Sequence, residues 1–400
     1  LSYRRHIEIE KLQASLSRTF SKSGFNSVSG EGKLGIAASG IAWAYACDVI
    51  RDLGINVRTF KVGTPYPFPE ELAESFLEGL DSVLVLEELD SVVEEALIAI
   101  AGTHGLKVRI LGKKSGNTPC AGEFSYEIVH RAISDFAGLS HDEKPYPYMS
   151  RLPSRPPVLC AGCPHRASFY AVKKAMRGQK AVFTGDIGCY TLGNAKPLNM
   201  VDTCLCMGAS IGVAQGIKRV EPETKLFAFI GDSTFFHTGI PGVVNAVYNQ
   251  TDITVVVLDN RTTAMTGHQP HPGTGKTMMG NESEKVDIEA VLKAIGVKWV
   301  RKINPFDHEN AVAAVREAAG IKGVSAIIFE APCIALFRKP EALTVDADKC
   351  RACGLCVREI GCPAMALDES GKVGIEPSTC YACGLCSSIC PFGAIGGNAS

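Results

Sequence analysis

Eight of the sixteen cysteines lie between residues 350 and 400, in two near-copies of one pattern. In each copy, a C-x2-C-x2-C triplet is followed by a cysteine that precedes a proline. Triplets of this kind ligate 4Fe-4S clusters, and in two-cluster ferredoxins the fourth ligand of each cluster comes from the other copy. The spacing therefore predicts two clusters, one on Cys350, Cys353, Cys356 and Cys390 and the other on Cys380, Cys383, Cys386 and Cys362.

The two copies differ in the loop before the last cysteine. Five residues separate Cys356 from Cys362, whereas three separate Cys386 from Cys390. A pair of zinc sites is the alternative interpretation, because C-x2-C pairs are common zinc ligands. Zinc needs two such pairs for each ion and has no use for triplets with a Cys-Pro. The pattern therefore favours clusters, and this segment is expected to carry electrons.

A second candidate site lies where two predicted strands end. The apolar runs "KLFAFI" (225–230) and "ITVVVL" (253–258) predict buried strands, and they are followed by "GDS" and "DN". Asp232 and Asn260 are then expected at one edge of the sheet, where doubly wound sheets bind ligands. Mg(II) prefers oxygen ligands and binds diphosphates. A lone Gly-Asp turn more often caps a helix, so it is the pair that predicts a site for Mg(II) and a diphosphate.

The elements that must position both sites follow from an alternation of predicted strands and helices, which indicates parallel sheets covered by helices. The predicted fold class is α/β, with two doubly wound parallel-sheet domains and a small α+β ferredoxin-like domain. The predicted organisation is a connector from a missing N-terminal domain at 1–30, an α/β domain at 31–140, a Pro-rich linker at 141–157, a diphosphate-binding domain at 158–338 and a two-cluster domain at 339–400.

Composition excludes several classes of protein. The 400 residues are 46% hydrophobic and 21% charged, with a formal net charge of -1, so nothing indicates a nucleic-acid or membrane partner. No export signal and no long apolar run occurs. The cysteine content then favours thiolate ligands in a reducing compartment over disulfides, and we expect a cytoplasmic protein.

The two strand-end motifs resemble the thiamine diphosphate motif, usually GDG and NN at similar spacing. The resemblance implies that Asp232, Asn260 and the main-chain carbonyl of Thr262 hold the Mg(II) that bridges the cofactor's diphosphate. Ser233 and Asp259 depart from the usual motif, but neither position is a metal ligand in that family.

Longer segments, among them "LCAGCPHRASFYA", "GDIGCYTLG" and "LDNRTTAMTGHQPHPGTG", resemble the alpha subunit of indolepyruvate:ferredoxin oxidoreductase. The resemblance implies that 31–140 is transketolase C-terminal-like and 158–338 binds thiamine diphosphate. It implies oxidative decarboxylation of arylpyruvates with coenzyme A, giving arylacetyl-CoA, CO2 and reduced ferredoxin. It also implies a smaller beta subunit as partner and an activating glutamate on a pyrimidine-binding domain, without which the chain is expected to be inactive alone.

Two alternatives stay open at this point. One is the same chemistry on another 2-oxo acid, such as pyruvate or a branched-chain acid. The other is a non-catalytic electron-transfer subunit. Asp232 and Asn260 argue against the latter, because a decayed site has no reason to keep both.

The resemblance also implies a third 4Fe-4S cluster near the thiazolium, which would relay electrons to the ferredoxin-like segment. Its ligands would be Cys160, Cys163, Cys189 and Cys333. The alternative is that these cysteines are buried free thiols, which are common in protein cores. Cys204 and Cys206 are interpreted as core or packing residues near the cofactor, and Cys47 and Cys120 as packing residues.

Several histidines lie on predicted loops or at a helix start beside the presumed site, and a neutral imidazole suits proton transfer near neutral pH. From these, His165, His237 and His268 are selected as catalytic candidates, and His271 lies in the same loop as His268. The residues predicted to bind the cofactor are Gly188, Gly208, Gly231, Asp232, Ser233, Asn260, Thr262, Met265 and Thr266.

Overall fold

The computed structural model describes residues 2–140 and 155–396, so most of the predicted linker at 141–157 lies outside the described residues. The chain divides into two compact units, residues 1–153 and residues 154–400. Among the described residues, no helix is both long enough and apolar enough to cross a membrane. The predicted diphosphate-binding and ferredoxin-like segments therefore belong to one compact unit.

The first unit is a sheet of five strands with helices on both faces. Its elements are α1 (Ser2–Ser21), β1 (Ser27–Ser29), β2 (Leu34–Ser39), α2 (Gly40–Leu53), β3 (Arg58–Val62), α3 (Glu70–Leu77), β4 (Ser82–Leu86), α4 (Val92–Thr103), β5 (Arg109–Leu111) and α5 (Tyr126–Ala137). The strand order is β1-β3-β2-β4-β5, and every pair is parallel except β1 with β3. Ile36, Ala38 and Leu84 belong to one buried cluster, and their neighbours Ala37 and Val83 belong to another. Successive side chains of the strands thus enter cores on opposite faces.

The second unit contains a larger parallel sheet, two pairs of short antiparallel strands and several helices. Its elements are α6 (Pro164–Ala175), β6 (Ala181–Gly185), β7 (Thr203–Cys204), α7 (Ala209–Val220), β8 (Lys225–Gly231), α8 (Asp232–Thr234), a π-helical turn (Phe235–Gly239), α9 (Ile240–Tyr248), β9 (Ile253–Asp259), α10 (Ile288–Ile295), β10 (Trp299–Ile303), α11 (His308–Ala318), β11 (Val324–Glu330), β12 (Thr344–Val345), α12 (Leu355–Ile360), β13 (Met365–Leu367), β14 (Val373–Ile375), α13 (Leu385–Ile389) and β15 (Ile395–Gly396). The strand order is β10-β11-β9-β8-β6-β7, with all neighbours parallel. The predicted α/β fold class is confirmed.

The register of this sheet brings the two strand-end motifs together. Gly231, the last residue of β8, pairs with Leu258 of β9. Asp232 and Asn260 therefore leave the sheet at the same carboxyl edge, as the alternation of strands and helices predicts. On the next strand, Asp259 pairs with Glu330 of β11. The backbone N–H of Cys333 then donates to the carbonyl of Asn260 at 3.0 Å, so a cysteine reaches this edge as well.

The last segment consists of two short antiparallel pairs, β12 with β15 and β13 with β14, and two short helices. These are the α+β elements of the predicted ferredoxin-like domain. Ile360 of α12 and Leu385 of α13 share a buried cluster with Phe169 of α6. The cysteine-rich segment is thus packed on the larger sheet's helical layer, and its core continues into that of the sheet.

Candidate cofactor sites

A cleft of about 530 Å³, open to solvent, lies at the carboxyl edge of the larger sheet. Asp232, Asn260 and Thr262 are almost fully buried in its floor. The predicted site residues that line the cleft are His165, Gly188, Gly231, Asp232, Ser233, Asn260, Thr262, Met265 and Thr266. His237, His268 and Gly208 do not line it, and both of these histidines are exposed.

The carboxylate of Asp232 has the properties of a cation ligand. Its Oδ1 accepts a hydrogen bond from the backbone N–H of Ser233 at 2.7 Å, whereas Oδ2 is buried without a hydrogen-bond partner. The Nε2 of His271 lies 3.1 Å from Oδ2, but the two atoms are not aligned for a hydrogen bond and both stay unsatisfied. A buried, unpaired carboxylate oxygen is costly. A divalent cation would remove this cost, so the site fits Mg(II).

The neighbouring carboxyl group supports the same conclusion. Burial, together with the negative charge of Asp232, raises the pKa of Asp259 well above its usual range. Two carboxylates this close repel each other, and a divalent cation between or beside them would relieve the repulsion. The departure from the usual thiamine motif at Asp259 therefore places a second carboxyl group beside the predicted metal position.

His165 orients the second predicted ligand. Its Nε2 lies 3.3 Å from Nδ2 of Asn260, and burial lowers the pKa of His165 to about 4. The imidazole is therefore neutral at physiological pH and can accept a hydrogen bond from the amide nitrogen. The amide Oδ1 of Asn260 is then on the other side, where the backbone N–H of Thr262 donates to it at 3.3 Å. This orientation presents a carbonyl-type oxygen as a ligand.

Tyr190 explains why glycines stand at two of the predicted cofactor-binding positions. A Cβ added at Gly188 would lie 2.2 Å from the Tyr190 ring, and one added at Gly231 would lie 2.7 Å from it. Both glycines are therefore needed for the ring to reach the cleft. Gly208 has a different role, because it begins α7 with a positive φ of 82° and lies against Thr238.

Asp186 is a buried carboxylate that is not among the predicted site residues. The Tyr190 hydroxyl donates to its Oδ1, and its Oδ2 accepts from the backbone N–H of Gly208 at 3.0 Å and from the Ser210 hydroxyl at 3.1 Å. Asp186 thus connects β6, α7 and the ring that lines the cleft. Its position in "GDIGCY", directly after a strand, was the available signal.

Replacing Asp186 by asparagine should change how stability depends on pH. Burial raises the pKa of Asp186 from 3.8 to about 6. Because the folded chain holds this proton more tightly, the group stabilises the fold fully below about pH 4, and that contribution is lost as the pH rises to about 6. The loss is on the order of 3 kcal/mol. Denaturant titrations between pH 4 and 7 should show wild type losing this much relative to Asp186→Asn, and parallel pH profiles would contradict the expectation.

The structure groups the C-terminal cysteines across the two copies. One cavity is lined by all four members of the first predicted set, Cys350, Cys353, Cys356 and Cys390. In the second set, burial raises the pKa of Cys386 to about 12, and the thiols of Cys383, Cys362 and Cys380 add to this effect. Such thiols do not ionise alone near neutral pH, whereas bound iron stabilises the thiolates. The donor sets therefore fit clusters.

The third predicted set lies beside the cleft. The Cys160 thiol is close enough to Cys163, Cys189 and Cys333 to raise the pKa of each, and Cys333 raises the pKa of Cys189 in the same way. Cys189 also lines the cleft. In the part of the chain that the structure describes, no group of three or more His, Cys, Asp or Glu side chains is arranged around a single ion position. A cubane needs no such group, since each thiolate bonds a different iron.

Comparisons with known proteins agree with this arrangement. Residues 186–329 match the family model of the thiamine pyrophosphate enzyme C-terminal TPP binding domain, and residues 358–399 match that of the LdpA Fe-S cluster-binding domain. The parallel sheet with its cleft is thus a thiamine diphosphate-binding domain, and the cysteine-rich segment is an iron-sulfur domain.

Relatives that match most of this chain narrow the class of protein further. Indolepyruvate oxidoreductase subunit IorA of Methanothermobacter marburgensis is 44% identical over 91% of this chain and 60% of its own length. The same subunit of Pyrococcus horikoshii is 39% identical over 94% of this chain and 62% of its own length. The 2-oxoglutarate synthase subunit KorB of Archaeoglobus fulgidus is 30% identical over 43% of this chain and 68% of its own length. The chain belongs to the 2-oxoacid:ferredoxin oxidoreductase superfamily, in the family of indolepyruvate oxidoreductase subunit IorA. It spans less than two thirds of the length of these IorA relatives.

Proposed function

We propose that this chain carries the catalytic cofactor site of an enzyme that oxidatively decarboxylates arylpyruvates, such as indolepyruvate, with coenzyme A, and passes the electrons to ferredoxin. The observation that supports this most strongly is the position of the third cysteine set. Cys189 lines the cofactor cleft, and Cys333 donates a backbone hydrogen bond to Asn260. An electron acceptor held there would lie directly beside the reacting centre.

The residues of the cleft have separate roles in this proposal. Asp232, Asn260 and the main-chain carbonyl of Thr262 would hold Mg(II), which would neutralise the charge of the cofactor's diphosphate. Thiamine diphosphate, when bound, supplies the electron sink that allows a 2-oxo acid to lose CO2. His165, neutral and inside the cleft, keeps the Asn260 amide in its ligating orientation. The catalytic roles of His165, His237 and His268 stay predictions, and of the three only His165 lines the cleft.

The proposed partners follow from the family. A smaller beta subunit would complete the enzyme, ferredoxin would accept electrons, and coenzyme A would take the acyl group. A glutamate from a pyrimidine-binding domain would activate the thiamine, so we expect no turnover by residues 1–400 alone. A cytoplasmic location is part of the same proposal.

A second candidate has a specific observation in its favour. KorB, which is named as a 2-oxoglutarate synthase subunit, is 30% identical over 43% of this chain, and one fold can host related reactions on different substrates. The same reaction on 2-oxoglutarate, pyruvate or a branched-chain acid is therefore the alternative. A purely electron-transferring subunit is disfavoured, because the unsatisfied Asp232 oxygen is costly without a cation.

The substrate can be tested with the complete enzyme under anaerobic conditions. Coenzyme A-dependent reduction of ferredoxin is measured with indolepyruvate, phenylpyruvate, pyruvate and 2-oxoglutarate. The proposal predicts that kcat/KM is highest for the two aryl substrates. A higher value for pyruvate or 2-oxoglutarate would leave the reaction type standing and overturn the substrate.

Iron content tests the third cluster. Three 4Fe-4S clusters require about twelve irons per chain, and Cys189→Ser should leave about eight, because one thiolate ligand is lost. The matched control is Cys206→Ser, since Cys206 is exposed and belongs to none of the three sets. A wild-type content of about eight irons, or equal iron in wild type and Cys189→Ser, would contradict the third cluster.

A further inference from the structure

Arg166 is a buried cation that the proposed reaction does not use. It is the third residue of α6, and 4% of its surface is exposed. Thiols from two different sets interact electrostatically with its guanidinium. Cys160 and Cys163 belong to the set beside the cleft, and Cys362 and Cys383 belong to the second C-terminal set. Arg166 therefore lies between two of the proposed cluster sites.

Hydrogen bonds fix the guanidinium in this position. Its Nη1 donates to the carbonyls of Ile360 at 2.6 Å and Gly361 at 2.8 Å, and its Nη2 donates to the carbonyl of Leu159. Leu159 directly precedes Cys160, and Gly361 directly precedes Cys362. The side chain thus joins the loops that carry one cysteine of each set.

The longer spacing in the first cysteine copy has a structural explanation in these contacts. The five residues between Cys356 and Cys362 complete α12 as far as Ile360 and then end it at Gly361, whose φ is 56°. They present the two carbonyls that bind Arg166. The longer loop of the first copy therefore serves to bind Arg166. The second copy has three residues at this place and does not bind Arg166 there.

A second contact brings the same two cysteine sets together. Gly162 lies between Cys160 and Cys163, with a φ of 77°, and a Cβ added to it would lie 2.5 Å from Cβ of Tyr381. Tyr381 lies between Cys380 and Cys383. The backbone of one loop thus packs directly on a residue of the other, so the two sets are neighbours.

Within the described residues, the charge of Arg166 has no carboxylate partner. Among the ion pairs of residues 2–140 and 155–396, none involves Arg166, and its buried Nε has no hydrogen-bond partner. A buried guanidinium needs compensating negative charge. The groups placed to supply it are the cysteine thiolates on both sides, and these are negative when they hold iron-sulfur clusters.

We infer that Arg166 is a positioning and redox-tuning residue for the two clusters that it separates, an inference that rests on the proposed cluster sites. Each 4Fe-4S cluster gains one negative charge when it accepts one electron. A fixed cation between the clusters stabilises these reduced states, so it raises both reduction potentials. Its fork of donors also holds the two loops at a constant separation.

The test is a redox titration of the complete enzyme with dithionite as electron donor, monitored by electron paramagnetic resonance, with iron measured in every sample. Arg166→Gln removes the charge, and the midpoint potentials of the two neighbouring clusters should shift to lower values, while the cluster on Cys350, Cys353, Cys356 and Cys390 shifts less. Arg166→Lys keeps the charge and should stay closer to wild type. Arg177→Gln is the matched control, because Arg177 also forms an ion pair with α12, at Glu359, but is exposed. The cluster midpoint potentials of this variant should equal those of wild type.

The outcomes separate this inference from the proposed function. Twelve irons per chain with unshifted potentials in Arg166→Gln would overturn the tuning role alone. Eight irons in wild type would remove the third cluster and this inference with it. If Arg166→Gln loses iron, the Arg166→Lys variant shows whether a cation is required. Retained iron in the lysine variant supports that requirement. Loss of iron in both variants means that Arg166 acts only as a hydrogen-bonding scaffold, which overturns the inference.

Discussion

Asp232→Ala is expected to weaken Mg(II)-dependent binding of thiamine diphosphate by at least about 100-fold, since loss of even an outer-shell partner of a metal site typically costs 10- to 100-fold in affinity. The physical reason is that Asp232 offers a buried oxygen with no protein hydrogen-bond partner, and alanine offers none. Calorimetric titration of the complete enzyme with the cofactor, with and without Mg(II), measures the effect.

Ser233→Gly is the matched control for this substitution. It changes the adjacent residue, which also lines the cleft, and it keeps the backbone N–H that donates to Asp232. Cofactor affinity should stay within a few-fold of wild type. If Asp232→Ala binds the cofactor as tightly as Ser233→Gly does, the assigned cation position is wrong.

The second large effect concerns which cysteines share a cluster. Cys390→Ser is expected to remove the same paramagnetic signal, and about four irons, as Cys350→Ser, although Cys390 is close in sequence to the other triplet. The reason is spatial, because Cys350 and Cys390 line one cavity. Cys362→Ser should in turn remove the signal that Cys383→Ser removes.

Spectra of the four variants, reduced with dithionite, decide between the pairings. Matching losses for Cys390 and Cys350, and separately for Cys362 and Cys383, agree with ligands exchanged between the copies. If Cys390→Ser instead matched Cys383→Ser, each copy would hold its own cluster and the arrangement described above would be wrong.

The strand-end motifs and the cysteine spacings could be predicted from the sequence, because each depends on the chemistry of residues that are close together in the chain. Asp232 and Asn260 follow buried strands, and the register of β8 and β9 then places them at one edge. The exchange of Cys362 and Cys390 follows from the two-cluster pattern. The grouping of these residues in the structure agrees with the predictions, while their roles stay to be tested by the substitutions above.

Other features depend on contacts between distant parts of the chain. Arg166 binds the carbonyl of Ile360 across 194 positions, and no periodicity or motif announces such a pair. His271 lies against Asp232, although the loop sequence gives no reason to prefer it over His268. The helix after β8 begins at Asp232 and includes a π-helical turn, which is common at functional sites but has no simple sequence signal.

Electrons released at the cleft are proposed to enter clusters on this same chain. This proposal is tested most directly by adding the 2-oxo acid to the complete anaerobic enzyme with thiamine diphosphate and Mg(II), and following cluster reduction by paramagnetic resonance. We predict reduction in wild type and none in Asp232→Ala, whose clusters dithionite still reduces. Substrate-dependent reduction that persists in Asp232→Ala, or its absence in wild type with bound thiamine and twelve irons per chain, would contradict the account.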